Sequence, residues 1–127
     1  MMKEILLVGL GGGLGALSRY GLGLLMVRWL GTGFPWATLF INLSGCLLIG
    51  MALGAGPGPE GFLSRELRLL GVIGFLGAFT TFSTFGYETV ALLQGGRPAL
   101  AFTYVFASVL LGLGGVALGI LLTRGLH

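Results

Sequence analysis

The sequence predicts an all-α membrane protein of four transmembrane helices, and three observations predict it. Hydrophobic residues make up 55% of the 127 positions and charged residues only 9%, with a mean hydropathy of +1.01, whereas a soluble domain carries about one-quarter charged residues. Four stretches meet the length of about 20 apolar residues that a crossing needs: Ile5 to Val27, Pro35 to Leu53, Leu67 to Leu93 and Pro98 to Leu122. The 26 glycines follow no collagen period and sit among Leu, Val and Ile, so they belong inside helices rather than in linkers. Glycine costs about 1 kcal/mol in a soluble helix. In lipid, where no hydrophobic force pulls helices together, small residues let their backbones approach closely.

The whole chain, 1–127, is expected to be a single transmembrane domain with helices over about 5–28, 35–54, 67–94 and 98–123. Met1-Met2-Lys3-Glu4 runs directly into an apolar stretch too long for a signal-peptide core, so the first helix is expected to be retained. Gly31-Thr32-Gly33 turns into Pro35 and Gly95-Gly96 leads to Pro98, the pattern of glycine beyond one helix end and proline in the first turn of the next. Between the second and third helices, Pro57, Gly58, Pro59 and Gly61 mark a loop around which Glu60, Arg65, Glu66 and Arg68 collect. Four crossings place both termini on one side, with Lys3, Arg65, Arg68 and Arg124 there against Arg28 and Arg97 opposite. This bias is weak under the positive-inside rule. It leaves the chain able to insert either way, which would permit an antiparallel, dual-topology homodimer. Gly9 to Gly13, Gly11 to Gly15, Gly50 to Gly54 and Gly115 to Gly119 repeat the small-xxx-small spacing of close helix packing.

Several function classes are disfavoured at once. The cations are scattered rather than clustered, which gives nucleic-acid binding no support. Cys46 is the only cysteine and His127 the only histidine, so no internal disulfide and no soft-ligand metal cluster can form. Gly11, Gly13 and Ala16 match a dinucleotide-binding spacing, but no strand precedes them and no acidic residue follows at the required distance. No Ser-His pair, carboxylate pair or metal constellation points to an enzyme.

The informative residues are the polar ones at membrane depth, because each needs a partner, a cavity or a function to offset its desolvation. Arg19, in the first span, reads either as a snorkelling arginine or as a charge drawing anions into a vestibule. Asn42, several residues from either end of the second span, either glues two helices or lines a path for a polar solute or an anion through its two amide donors. In the third span Gly71, Gly74 and Gly77 form a side-chain-free stripe, and Thr80, Thr81, Ser83 and Thr84 follow within five positions. Those hydroxyls can bond backbone groups in place of the helical ladder. The helix is therefore expected to break near mid-membrane, where such a break is tolerated only in a protein interior or along a cavity. The alternative, favoured by residue statistics alone, is a continuous helix whose Ser and Thr bond back to their own carbonyls.

Phe79, Phe82 and Phe85 recur every three residues. Such stripes are commonly packing, yet the positive edges of the rings could surround a dehydrated anion beside Ser83 and Thr84. Glu88 is the only carboxylate well inside a span; it reads as an acceptor for those hydroxyls or as a snorkelling residue. Tyr104 and Ser108, four apart, share a face of the fourth helix and form either a packing pair or a continuation of the polar line.

Gly77-Ala78-Phe79-Thr80-Thr81-Phe82-Ser83-Thr84-Phe85, together with Gly11 to Tyr20, Thr38, Asn42 and Gly45, and Tyr104 with Ser108, resembles the Fluc/CrcB family of fluoride-specific ion channels of bacterial inner membranes. The resemblance covers essentially the whole chain. Ala78 stands where many members have glycine, a small departure. The resemblance implies an antiparallel dual-topology homodimer with two fluoride pores, each lined by both subunits. It implies that the backbone carbonyls of Gly77 and Thr80 hold a structural sodium ion at the dimer centre. Phe82 and Phe85 would contact fluoride, Asn42, Ser83, Thr84, Tyr104 and Ser108 would line the polar path, and Arg19 and Glu88 would support it. The residues alone reach only as far as an anion or small polar solute.

The rival is a proton-coupled exporter of the small multidrug type, also built from four helices in an antiparallel dimer. Such transporters need a titratable carboxylate in the first span, whereas Glu4 lies at its edge and Glu88 sits in the third.

Overall fold

A computed structural model describes residues 1–54 and 63–124. The loop expected around Pro57, Gly58, Pro59, Glu60 and Gly61, and the terminal His127, lie outside the described residues. Four helical spans are long and apolar enough to cross a membrane: Met2–Leu30, Trp36–Gly54, Arg65–Gln94 and Pro98–Arg124. They make this a multi-pass membrane protein.

The first span is one helix, α1 (Met2–Leu30). It begins earlier than the apolar run, and its first turn is paired with the third span: Lys3 with Glu66 at 3.1 Å and Glu4 with Arg65 at 2.6 Å. The second span is α2 (Trp36–Gly54) and the fourth is α6 (Pro98–Arg124). The third is composite. Ser64 caps α3 (Arg65–Leu67) by accepting the Leu67 N–H. A π-helical segment (Arg68–Leu76) follows, then α4 (Gly77–Phe79) and, after two non-helical residues, α5 (Phe82–Gln94).

Two helix pairs carry the packing: α1 with the π segment, and α2 with α6. A methyl group on Gly11 or Gly15 would overlap the carbonyls of Leu70 and Phe75, and Gly74 meets the Val8 carbonyl and Gly11 in return. In the other pair Gly50 faces the Val116 carbonyl, Gly54 faces Ile120, and Gly119 faces the Leu47 carbonyl. These contacts of backbone on backbone are what small residues permit in lipid. Gly9 and Gly13 meet nothing within 4 Å and lie on the open side of α1, so that spacing makes no contact within the chain. The glycine stripe of the third span also fails to act as one surface, since Gly71 is open and only Gly74 is tightly packed. In the π segment the bonds run from residue i to i+5, so residues three apart no longer share a face.

The core is correspondingly small. Leu39, Leu92, Ala101 and Tyr104 form one buried cluster and Ile41, Leu76 and Phe79 another. Most of the remaining Leu, Ile, Val and Phe side chains face outward, toward the only solvent that suits them, the hydrocarbon of a bilayer.

Candidate functional site: an interrupted span between two clefts

The two non-helical residues of the third span are Thr80 (φ −80°, ψ 158°) and Thr81 (φ −149°, ψ 120°), both extended. The turn before them is finished by Thr80 itself, whose N–H and Oγ1 both donate to the Leu76 carbonyl at 3.1 and 2.9 Å. Thr81 then pairs with a side chain instead of with the helix. Its N–H donates to Asn42 Oδ1 at 2.8 Å, and its carbonyl accepts from Asn42 Nδ2 at 2.9 Å. One amide from α2 therefore satisfies both backbone groups of an extended residue, as a neighbouring strand would. Thr81 Oγ1 accepts the Thr84 N–H at 3.3 Å and donates to Thr84 Oγ1 at 3.0 Å, capping α5.

This bonding frees two carbonyls. In a continuing helix the Thr81 N–H would return to Gly77 and the Thr84 N–H to Thr80. Both donors are spent elsewhere, on Asn42 and on Thr81 Oγ1. The carbonyls of Gly77 and Thr80 are thereby released from the ladder, and Gly77, exposed and without a side chain, leaves its own accessible. Hard oxygen donors of this kind suit a small cation such as sodium, so the residues fit the ion that the motif implies.

Clefts open on both sides of the interruption. One, of about 350 Å³, is lined by Asn42, Gly45, Gly77, Thr80, Thr81 and Phe82. The other, of about 420 Å³, is lined by Arg19, Tyr20, Thr38, Thr81 and Thr84 among others. Thr81 borders both. The Arg19 side chain makes no hydrogen bond or ion pair with any described residue, which leaves its charge available to that second cleft.

The aromatic stripe divides. Phe79 is buried and stacks on Phe75 at 5.6 Å, a packing role. Phe82 is 83% exposed and lies 5.7 Å from Phe85 at an interplanar angle of 47°. Phe85 in turn meets Tyr104 edge to face at 5.1 Å. Tyr104 is fully buried, and its hydroxyl donates to Glu88 Oε2 at 2.7 Å while Thr38 Oγ1 donates to Glu88 Oε1 at 2.9 Å. Glu88 is thus an acceptor, but for Thr38 and Tyr104 rather than for Ser83 or Thr84. Ser108 Oγ, one turn further along α6, is buried with no hydrogen-bond partner among the described residues.

Of the residues singled out in the sequence, Asn42, Gly77, Thr80 and Phe82 come together around one cleft, and Ser83 and Thr84 follow at the start of α5. Phe85 links that group to Tyr104 and Glu88, while Arg19 stands across the second cleft. Two residues were missing from the expected site, Thr38 and Thr81. Thr38 is one turn before Asn42 on the same helix face, and Thr81 precedes Thr84 by three, the spacing of a hydroxyl cap. Either signal could have found them.

Residues 6–120 match the family model described as CrcB-like protein, Camphor Resistance (CrcB). The chain is 55% identical over 112 residues, 88% of each chain, to a protein of Thermus thermophilus named fluoride-specific ion channel FluC. Proteins of the same name from Beijerinckia indica and Rhodospirillum centenum are 48% and 43% identical. The match covers 98% of this chain and 99% of the first, and 97% of this chain and of the second. The span matched by the family model, 6–120, contains the interruption, Asn42, both clefts and the Glu88 cluster, and the chain belongs to the CrcB-like protein family.

Proposed function

We propose that this protein is a fluoride-selective ion channel that passively exports F⁻ from the bacterial cytoplasm across the inner membrane. It works as an antiparallel, dual-topology homodimer with two pores. The observation that carries this reading is the Asn42–Thr81 pairing, a polar interruption held in a span otherwise built for lipid. The names of its relatives support fluoride as the ion.

Fluoride is small, hard and strongly hydrated, so a path for it must replace its water shell with donors in a narrow space. Asn42, Ser83, Thr84 and Ser108 are the donors of that path, and Tyr104, whose hydroxyl proton goes to Glu88, lines it. The edges of Phe82 and Phe85 supply positive partial charge without the deep trap of a full cation. The unpaired Arg19 raises the local anion concentration at the vestibule. Glu88 holds Thr38 and Tyr104 in place. Gly77 and Thr80 carbonyls, contributed by both copies at the dimer centre, are the residues that would hold a structural Na⁺, whose charge would stabilise the assembly. HF entering from acid surroundings dissociates inside, and an interior-negative potential then drives the anion out with about 2.3 kcal/mol per charge per 100 mV. That suffices without ATP.

The test is ion efflux from liposomes holding only this protein. The expected result is fluoride release with no proton gradient and with chloride retained. Chloride release at a comparable rate, or fluoride movement only under a proton gradient, would overturn the reading.

A further inference from the structure

A third cleft, of about 370 Å³, opens at the end of the bundle where α1 meets α2 and α5 meets α6. Its lining includes Gly33, Trp36, Tyr87, Glu88 and Arg97. It reaches Glu88, whose carboxylate is already bonded to Thr38 and Tyr104. An anion passing between Glu88 and water through this opening would pass that carboxylate at close range. The cation beside it is Arg97.

Arg97 is held unusually well for an exposed residue. Gly96, at φ +69°, makes the left-handed turn after α5 that a side chain would strain. Beyond it the Arg97 N–H donates to the Leu92 carbonyl at 2.9 Å, and its carbonyl accepts from Ala101 at 3.1 Å. Arg97 Nη2 donates to the Gly33 carbonyl at 2.6 Å, across 64 residues of sequence. A guanidinium carries five N–H donors, so this bond fixes the group and leaves the rest of its donors free for an anion. Gly33 is followed by Phe34, which packs edge to face on Tyr104 at 5.5 Å. Arg97 therefore secures the wall of the cleft and, through Phe34, the ring whose hydroxyl binds Glu88.

We infer that this cleft is the mouth of the fluoride path and that Arg97 is its anion-attracting cation, offsetting Glu88 and concentrating anions at the opening while pinning the α1–α2 connection. This rests on the channel reading above.

The test measures initial fluoride efflux from liposomes for Arg97→Gln, Arg97→Lys and Arg97→Glu, with ionic strength set by potassium gluconate. At about 0.01 M the screening length is about 30 Å and at 1 M about 3 Å. Arg97→Gln is expected to slow efflux about threefold to tenfold at the lower salt and less than twofold at the higher, since an electrostatic contribution to rate is screened. Arg97→Lys should retain at least about half the rate at low salt, and Arg97→Glu should fall below Arg97→Gln. Equal losses at both salts, or no order by charge, would overturn the inference. Arg97→Lys keeps the test decisive if Arg97→Gln loses the Gly33 bond and fails to fold. Wild-type protein without fluoride flux would overturn the channel reading and this inference together, whereas wild-type flux with an indifferent Arg97 series would overturn this inference alone.

Discussion

Two stripes on α2 show how one helix serves two purposes. Along one, Leu43, Leu47, Gly50 and Gly54 run against Gly115, Val116, Gly119 and Ile120 of α6 in close contact, largely of backbone on backbone. Along the other, Thr38, Asn42 and Gly45 meet Glu88, Thr81 and Thr80, and two of the three contacts are hydrogen bonds from side chains. The spacings are alike, three or four residues, and so is the burial. The stripes differ in what the neighbour offers. The α6 backbone is a closed helix with its carbonyls used, so contact there can be only shape. The third span presents an open residue, Thr81, and contact becomes bonding. An interruption in one helix thus converts the facing stripe of another from packing surface into site.

Substitutions should separate the two stripes. The largest effect is expected at Gly119→Leu, whose added atoms would collide with the Leu47 carbonyl and Met51 N–H of α2. Overpacking a fixed backbone costs about 1–3 kcal/mol or more, so little monodisperse protein should be recovered by size exclusion. Recovery at the wild-type level would show that α2 and α6 do not depend on close approach at Gly119. Next comes Phe82→Ile, which alters an exposed ring beside the interruption. Fluoride efflux should fall at least about tenfold, equivalent to about 1.4 kcal/mol in the barrier, with the size-exclusion profile unchanged; unchanged efflux would remove the ring from the path. The smallest effect belongs to Lys3→Ala, because the Lys3–Glu66 pair is 73% and 53% exposed. Such pairs contribute about 1 kcal/mol or less. The thermal midpoint and the efflux rate should barely move, and a large shift in either would show that the ends of the helices matter as much as their centres.

The architecture was legible because lipid imposes it. Length, hydropathy and the glycine and proline punctuation at Gly31 to Pro35 and Gly95 to Pro98 located the helices to within a few residues at most ends. The early start of α1 was not legible, since Lys3 and Glu4 are charged residues outside the apolar run and their partners Glu66 and Arg65 lie 60 or so residues away in sequence. Nor was the π winding of Arg68–Leu76. It leaves residue types unchanged, so no side-chain pattern announces it, and it undid the reading of Gly71, Gly74 and Gly77 as one stripe. In the site, the hydroxyl-rich run pointed to where extended backbone would be found, and Thr80 and Thr81 are extended. Which residue would complete the pairing was harder to see. Asn42 stood out as polar in an apolar span, but its partner lies 39 residues away. Glu88 reads from sequence as an acceptor for its neighbouring hydroxyls or as a snorkelling residue, and it instead binds hydroxyls from α2 and α6. Local spacing predicts capping well; it cannot predict contacts made by tertiary packing.

On the proposed channel reading, the Asn42 amide, by holding Thr81 out of the helix, is what lets a bundle made for lipid conduct an anion. Asn42→Ala leaves the Thr81 N–H and carbonyl without their partner, and fluoride efflux should drop to the leak of protein-free liposomes while size exclusion returns the wild-type elution profile. Wild-type efflux from protein with that profile would show that conduction does not depend on the Asn42–Thr81 pairing.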